Sequence, residues 1–92
     1  MEFNWDSKKA KRNLRKHQVS FEEAVMVFSD SLSFTYEDEA HSHAERRYAT
    51  LGMSARGRVL VVSHTMRGEQ VRIVSAREAT PRERRWYEKE NK

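Results

Sequence analysis

From His64 to Arg85 the chain carries one His and six Arg (Arg67, Arg72, Arg77, Arg82, Arg84 and Arg85), with Glu83 among them. Guanidinium suits phosphate because its planar fork donates two parallel hydrogen bonds and keeps its charge. Cutting an RNA backbone without a metal asks for little more. The ribose 2′-OH must lose a proton, the transition state needs positive charge, and the leaving 5′-oxygen must gain a proton. A His with an ordinary pKa near 6.5 can do either proton job at neutral pH, and a suitably placed Glu can act as base. The candidates are therefore His64 and Glu83 for proton transfer, with Arg67, Arg72 and Arg77 on the phosphate. The same arginines would also serve a catalytically silent module that only grips phosphate, or a solvated basic sheet.

Other constellations are thinner. His41 and His43, close to Glu37, Asp38, Glu39 and Glu45, invite a metal-dependent reading, but two His without a spaced third make a poor ligand set. No GxGxxG, P-loop or GxSxG pattern occurs, so nucleotide-dependent and hydrolase-elbow chemistries lack support. Trp5 and Trp86 could stack bases, although a core this small needs them as anchors.

The chain has 92 residues, 37% of them hydrophobic and 35% charged, and no Cys. That is one domain, spanning 1–92, with a small core and with neither disulfides nor Cys-based zinc sites. The longest aliphatic run, Val59-Leu60-Val61-Val62, is far too short to cross a bilayer, and the N-terminus lacks the order of a signal peptide. A soluble cytoplasmic protein without a membrane partner is the expectation. Charge is blockwise: six basic and two acidic residues in 1–16, seven acids and no Lys or Arg in 17–45, then twelve basic and five acidic residues in 46–92. A basic surface that meets an anion, beside an acidic surface with another task, fits that pattern.

The positioning elements can be read in order. Met1, Phe3 and Trp5 alternate as a short strand would. Asp6 is an N-cap for a helix over about 7–17 whose only apolar stripe is Ala10 and Leu14. Ser20 and Glu23 form a capping-box pattern before a helix over about 21–29, with Phe21, Ala24, Val25 and Phe28 on one face. Leu32, Phe34 and Tyr36 suggest a strand, followed by an acidic loop. A hairpin runs from Arg46 to His64 around Ser54–Gly57, a second turn falls at 66–69, and residues 70–76 return as a strand. Alternation there groups Arg72, Val74 and Ala76 against Val71, Ile73 and Ser75. Thr80, Pro81 and Glu83 start a final helix over about 81–91. The fold class is α+β: a small twisted antiparallel sheet of three to four strands, with two N-terminal helices and one C-terminal helix packed on one side. Arg46, Arg47, Arg58, His64 and Arg72 would make its other face polar and available.

Three ordered blocks resemble the BrnT family. They are Phe3-Asn4-Trp5-Asp6 through Val19-Ser20-Phe21-Glu22-Glu23-Ala24 and Val27-Phe28; Gly52-Met53-Ser54 through Leu60-Val61-Val62, His64 and Arg67; and Arg72-Ile73-Val74-Ser75-Ala76-Arg77-Glu78-Ala79-Thr80 with Glu83-Arg84 and Tyr87. The resemblance covers about residues 3–88. It implies a type II toxin with a RelE-like fold, an endoribonuclease that arrests translation and growth and needs no cofactor or metal. The partner it implies is a BrnA-like ribbon-helix-helix antitoxin in a hetero-oligomer, with operator DNA bound only through that antitoxin. Carried over by position, it adds Lys16, His17, Arg84 and Tyr87 as RNA- or phosphate-binding candidates to His64, Arg67, Arg72, Arg77 and Glu83. Lys16 and His17 also end a helix, where cations complement the dipole. Gln18 stands where the family commonly has Gly, leaving the turn between the helices without its easy left-handed residue. The acidic segment Glu37–Glu45 is a candidate antitoxin-facing surface.

Overall fold

Asp6 starts the first helix as its position requires: its carboxylate accepts the Lys8 N–H at 2.7 Å and the Lys9 N–H at 3.4 Å. Helix α1 (Ser7–His17) ends at Gln18, whose φ of 56° and ψ of 33° lie in the left-handed region. The Gln18 N–H closes on the Leu14 carbonyl, and its side chain donates to the Arg15 carbonyl at 2.8 Å. Helix α2 (Phe21–Met26) starts where the Ser20 hydroxyl accepts the Glu23 N–H, and it tightens into a 3-10 turn over Val27–Ser29. Helix α3 (Pro81–Glu90) carries a complete capping box: Thr80 Oγ1 accepts the Glu83 N–H, and Glu83 Oε1 accepts the Thr80 N–H at 2.9 Å. The structure, a computed structural model, describes residues 1–90. The last position of the expected 81–91 helix therefore lies outside the described residues.

The strands are β1 (Glu2–Asn4), β2 (Phe34–Glu37), β3 (Tyr48–Met53), β4 (Val59–Arg67) and β5 (Gln70–Glu78). They form one sheet in the order β1-β5-β4-β3-β2. This corrects the expected three to four antiparallel strands: there are five, and β1 pairs parallel with β5. The β2–β5 meander joins neighbours through local turns, so it is legible; β1 and β2 sit on opposite edges, separated by the α1–α2 crossover. A further correction concerns the helices. The α1 and α2 helices cover one face, while α3 packs on the other through Tyr87, which joins a core of Ala49, Leu51, Val59 and Val61. The first face holds the larger core, with Val19, Phe21 and Ala24 against Leu60, Val62 and Ile73. Burying β4 on both sides explains its almost unbroken apolar run.

The parity of β5 also changes. Ser63 faces Ser75, but His64 faces Ile73, so Val74 has no opposite residue. One extra residue moves everything beyond it to the other face. Ala76 accordingly joins the helix-covered core with Val71 and Ile73, while Ser75 and Arg77 turn to the α3 side. Arg72 and Arg77, an odd number of residues apart, thereby share a face.

Two buried polar residues bind the layers together. The Asn13 amide on α1 pairs with both backbone groups of Ala76, donating to its carbonyl at 2.8 Å and accepting its N–H at 3.1 Å. It also donates to the Val19 carbonyl. Glu23 is 2% exposed, and instead of completing the Ser20 box its carboxylate accepts from Ser54 Oγ at 2.8 Å and from Arg58. The Arg58 guanidinium holds that carboxyl below the usual range. At Gly52 a Cβ would lie 2.8 Å from Ser33 Cβ, so only glycine lets β3 approach this closely.

Candidate active site

The segment between β2 and β3 is tied down by its own hydrogen bonds as a rim beside the sheet. The Asp38 N–H donates to the Arg47 carbonyl at 2.8 Å, and the Arg47 N–H donates to Ser42 Oγ at 2.9 Å. Ser42 in turn donates to the Asp38 carbonyl. One turn of 3-10 helix, Glu39–His41, is thereby set above the sheet. On it, His41 Nδ1 lies 2.9 Å from Asp38 Oδ2. A carboxylate on one ring nitrogen fixes the tautomer and frees the other nitrogen for proton transfer.

Under this rim is a cavity of about 250 Å³ on the α3 side of the sheet. Val61, Ser63 and Ser75 lie along its floor, and Tyr36, His41, Arg47 and Arg77 around it. Arg47 Nε is buried and has no hydrogen-bond partner among the described residues. A buried guanidinium N–H left open is costly unless a ligand completes it. Arg77 is set from the other side: its NH1 and NH2 donate to the two Glu83 oxygens at 2.7 and 3.0 Å. Hydrogen bonding by Arg77, joined by the Thr80 N–H, holds the Glu83 carboxyl at about 2. Burial, with Glu83 nearby, raises the Tyr36 phenol above its ordinary value, so it stays a proton donor at neutral pH. The arrangement offers two guanidiniums, neutral hydroxyl donors and an oriented imidazole around a space the size of a few polar groups. That set can bind an anion and move a proton beside it.

Residues 5–83 match the family model described as the ribonuclease toxin BrnT of type II toxin–antitoxin systems. The chain belongs to the BrnT family. Its fold is similar to that of the crystal structure of the Brucella abortus ribonuclease toxin BrnT, with a TM-score of 0.69 over 87% of this chain and 97% of that one, at 22% identity. No curated protein matches the sequence. No helix among the described residues is long and apolar enough to cross a membrane.

Within this BrnT chain the sequence candidates are dispersed. Arg77 lines the cavity and Glu83 holds it in place, which fits a positioning group rather than a base. His64 lies on the opposite face, 4% exposed, against the Phe28 ring edge at 5.1 Å and stacked on Tyr48. Its Nε2 lies 2.8 Å from Thr50 Oγ1, which in turn contacts Thr35 Oγ1, and burial pushes its pKa down to about 4. Arg67, at the far end of β4, pairs with Glu45 at 3.2 Å. Arg72 donates to Asn4 Oδ1 at the β1 edge. Arg58, expected on the open face, is taken up by Glu23 and Glu78. Tyr87 is 5% exposed and donates to Asp30, so its ring is core rather than RNA contact. Arg84 is exposed on α3, and Lys16 and His17 lie at the end of α1 beside a separate groove.

Arg47, Tyr36, Ser63, Ser75 and His41 as a single His outside any metal set escaped the sequence reading. The dipeptide Arg46-Arg47 was a signal, but only the fold tells which of the two turns inward. Among the described residues, no three His, Asp or Glu side chains come together as a metal site.

Proposed function

We propose that this BrnT chain is an endoribonuclease that cuts RNA by metal-independent transesterification in the Arg47–Arg77 cavity. The observation that carries the reading is the convergence on one cavity of Arg47, whose buried Nε has no partner among the described residues, and the Asp38–His41 pair. A phosphodiester in the cavity supplies acceptors to the Arg47 guanidinium. Glu83 uses donors on NH1 and NH2 of Arg77 but leaves its Nε–H for the same phosphate.

The ribose 2′-OH gives its proton to His41, whose tautomer Asp38 selects. The 2′-oxygen forms a bond to phosphorus, and the bond from phosphorus to the 5′-oxygen breaks. The 5′-oxygen takes a proton from Tyr36, the remaining acid of the cavity. A 2′,3′-cyclic phosphate and a 5′-hydroxyl are the products. Arg47 and Arg77 offset the charge that grows on the phosphoryl oxygens, the kind of preorganised stabilisation that commonly dominates such catalysis. Cleavage of this kind would arrest translation and growth. The antitoxin of the type II system, read as BrnA-like with a ribbon-helix-helix part that carries operator binding, would silence the chain by covering the acidic 37–45 rim, because that rim is one wall of the cavity.

Purified protein should cut RNA in the presence of a chelator and leave cyclic phosphate ends, and His41→Ala should abolish most of that activity. Cutting that stops with the chelator would move the chemistry to a metal. Binding without any cutting would leave a silent phosphate-gripping module.

A further inference from the structure

The cations of the chain differ in how they are paired. On the sheet and its loops, Arg46, Arg56, Arg58, Arg67 and Arg77 are each paired with a carboxylate. On α1, Lys8, Lys9, Lys11, Arg12, Arg15 and Lys16 are all exposed, and none makes an ion pair among the described residues. The helix contains no acid. Unpaired like charges this close destabilise a helix. Arg47 and Arg72 on the sheet and its loops and Arg82, Arg84, Arg85 and Lys89 on α3 also lack an ion pair among the described residues, but no other element gathers six exposed cations without an acid of its own.

Their placement is directional. Asn13 anchors α1 to Ala76 on β5, and Lys9, Arg12 and Lys16 line up on the flank beside it, at the spacing of one helix face. These three and His17 line a groove of about 310 Å³ whose other wall is Val74 and Ser75. Ser75 also lines the Arg47–Arg77 cavity. The two depressions therefore share Ser75 and lie on either side of β5, next to the bulge where Val74 leaves the ladder. Lys8, Lys11 and Arg15 face outward, away from that junction. With 11 residues, α1 is about 16 Å long, enough for a few successive phosphates.

We infer that the Lys9–Arg12–Lys16 flank of α1 is a backbone track for single-stranded RNA, gripping the nucleotides next to the one held in the cavity. The inference rests on the cavity being the RNA-cutting site, and it adds the path of the strand. The track reads phosphate and not bases, so its contribution is independent of sequence and falls steeply with salt.

The test is fluorescence anisotropy of the full chain with 2′-O-methyl RNA, which lacks the nucleophile and cannot be cut. Strands of about four and about twelve nucleotides bracket a site confined to the cavity and one that includes the track. The K9E/R12E/K16E variant should bind the longer strand about tenfold or more weakly and the shorter one within about twofold. Its log–log salt dependence on the longer strand should be shallower by about 2, because three phosphates are no longer neutralised and each accounts for ~0.7 of the slope. K8E/K11E/R15E makes the same change in charge and should weaken the longer strand by less than about threefold. Circular dichroism shows whether each triple is folded, and K9Q/R12Q/K16Q, which introduces no new charge, should give a smaller loss with the same length dependence. The track is refuted if the two reversals weaken binding alike, if both lengths suffer equally, or if neither does. It is refuted as well if the first triple loses antitoxin and keeps RNA, which would make the flank a protein interface. Cleavage by the unaltered chain tests the cavity separately, so either idea can fail while the other stands.

Discussion

On the face of the sheet covered by α1 and α2, an imidazole is sealed in: His64 is 4% exposed and burial lowers its pKa to about 4. On the α3 side, an imidazole is held out: the His41 side chain is 69% exposed and oriented by Asp38 above a cavity with an open arginine. The same residue type is placed in opposite settings, because one face is filled by two helices and the other is crossed by one helix that leaves space beside it. Closure makes a histidine part of the packing. An open rim with a carboxylate leaves one oriented and accessible, as the proposed proton transfer by His41 requires.

The sharpest way to break this contrast is to exchange the roles by mutation. His41→Ala should lower kcat/KM for RNA cleavage by about 10²–10⁴, the usual contribution of a positioned acid–base group, while unfolding in urea stays near that of the parent. His64→Ala should do the reverse, with cleavage by the folded fraction retained and stability reduced. Equal losses of cleavage in the two folded variants would erase the distinction between the faces. Arg47→Ala and Arg77→Ala should each cost about 10² in kcat, read in single-turnover cleavage. Glu83→Gln should cost less, because it loosens Arg77 without removing it.

The next test uses pH. His64 takes up a proton near 6.5 when unfolded and near 4 when folded, so between these values the unfolded chain binds a proton that the native one refuses. Stability should therefore fall as pH drops from about 6.5 to 4, by up to about 3 kcal/mol, and His64→Gln should flatten that slope. Glu83 contributes in a lower window: its stabilisation is present above about 4.5 and is lost as pH falls towards 2. Urea unfolding at a series of pH values separates the two. The smallest effect concerns Gln18. Replacing it with Gly removes the left-handed penalty and also the side-chain bond to Arg15, so a net gain of about 0.5–1 kcal/mol is expected in the melting curve.

Much of the scaffold was legible because it is local. Asp6, Ser20 and the Thr80–Glu83 box start helices where they stand, and Gly57 and Gly68 take positive φ in their turns. The parallel pairing of β1 was not legible, since nothing in three residues names a partner some seventy positions away. The bulge opposite Ser63/His64 was equally silent, and it reversed the faces assigned along β5. The site was legible in part. Arg77 and Glu83 are both sequence candidates, and the Thr80 box fixes Glu83 at the helix start, but their pairing with each other appears only in the fold. His41 and Arg47 acquire meaning only when Ser42 folds their segment over Ser63 and Ser75, and the acidic composition around them reads as a solvated loop.

The Asn13 amide has a consequence beyond holding α1. A strand at the border of a sheet is a template on which another molecule can lay its own backbone. Here a side chain occupies the bonding groups of Ala76, and β1 covers Gln70–Arg72 further along. With the Ala76 groups taken, this stretch of β5 offers a second copy little to zip onto, so pairing of two chains through it is disfavoured.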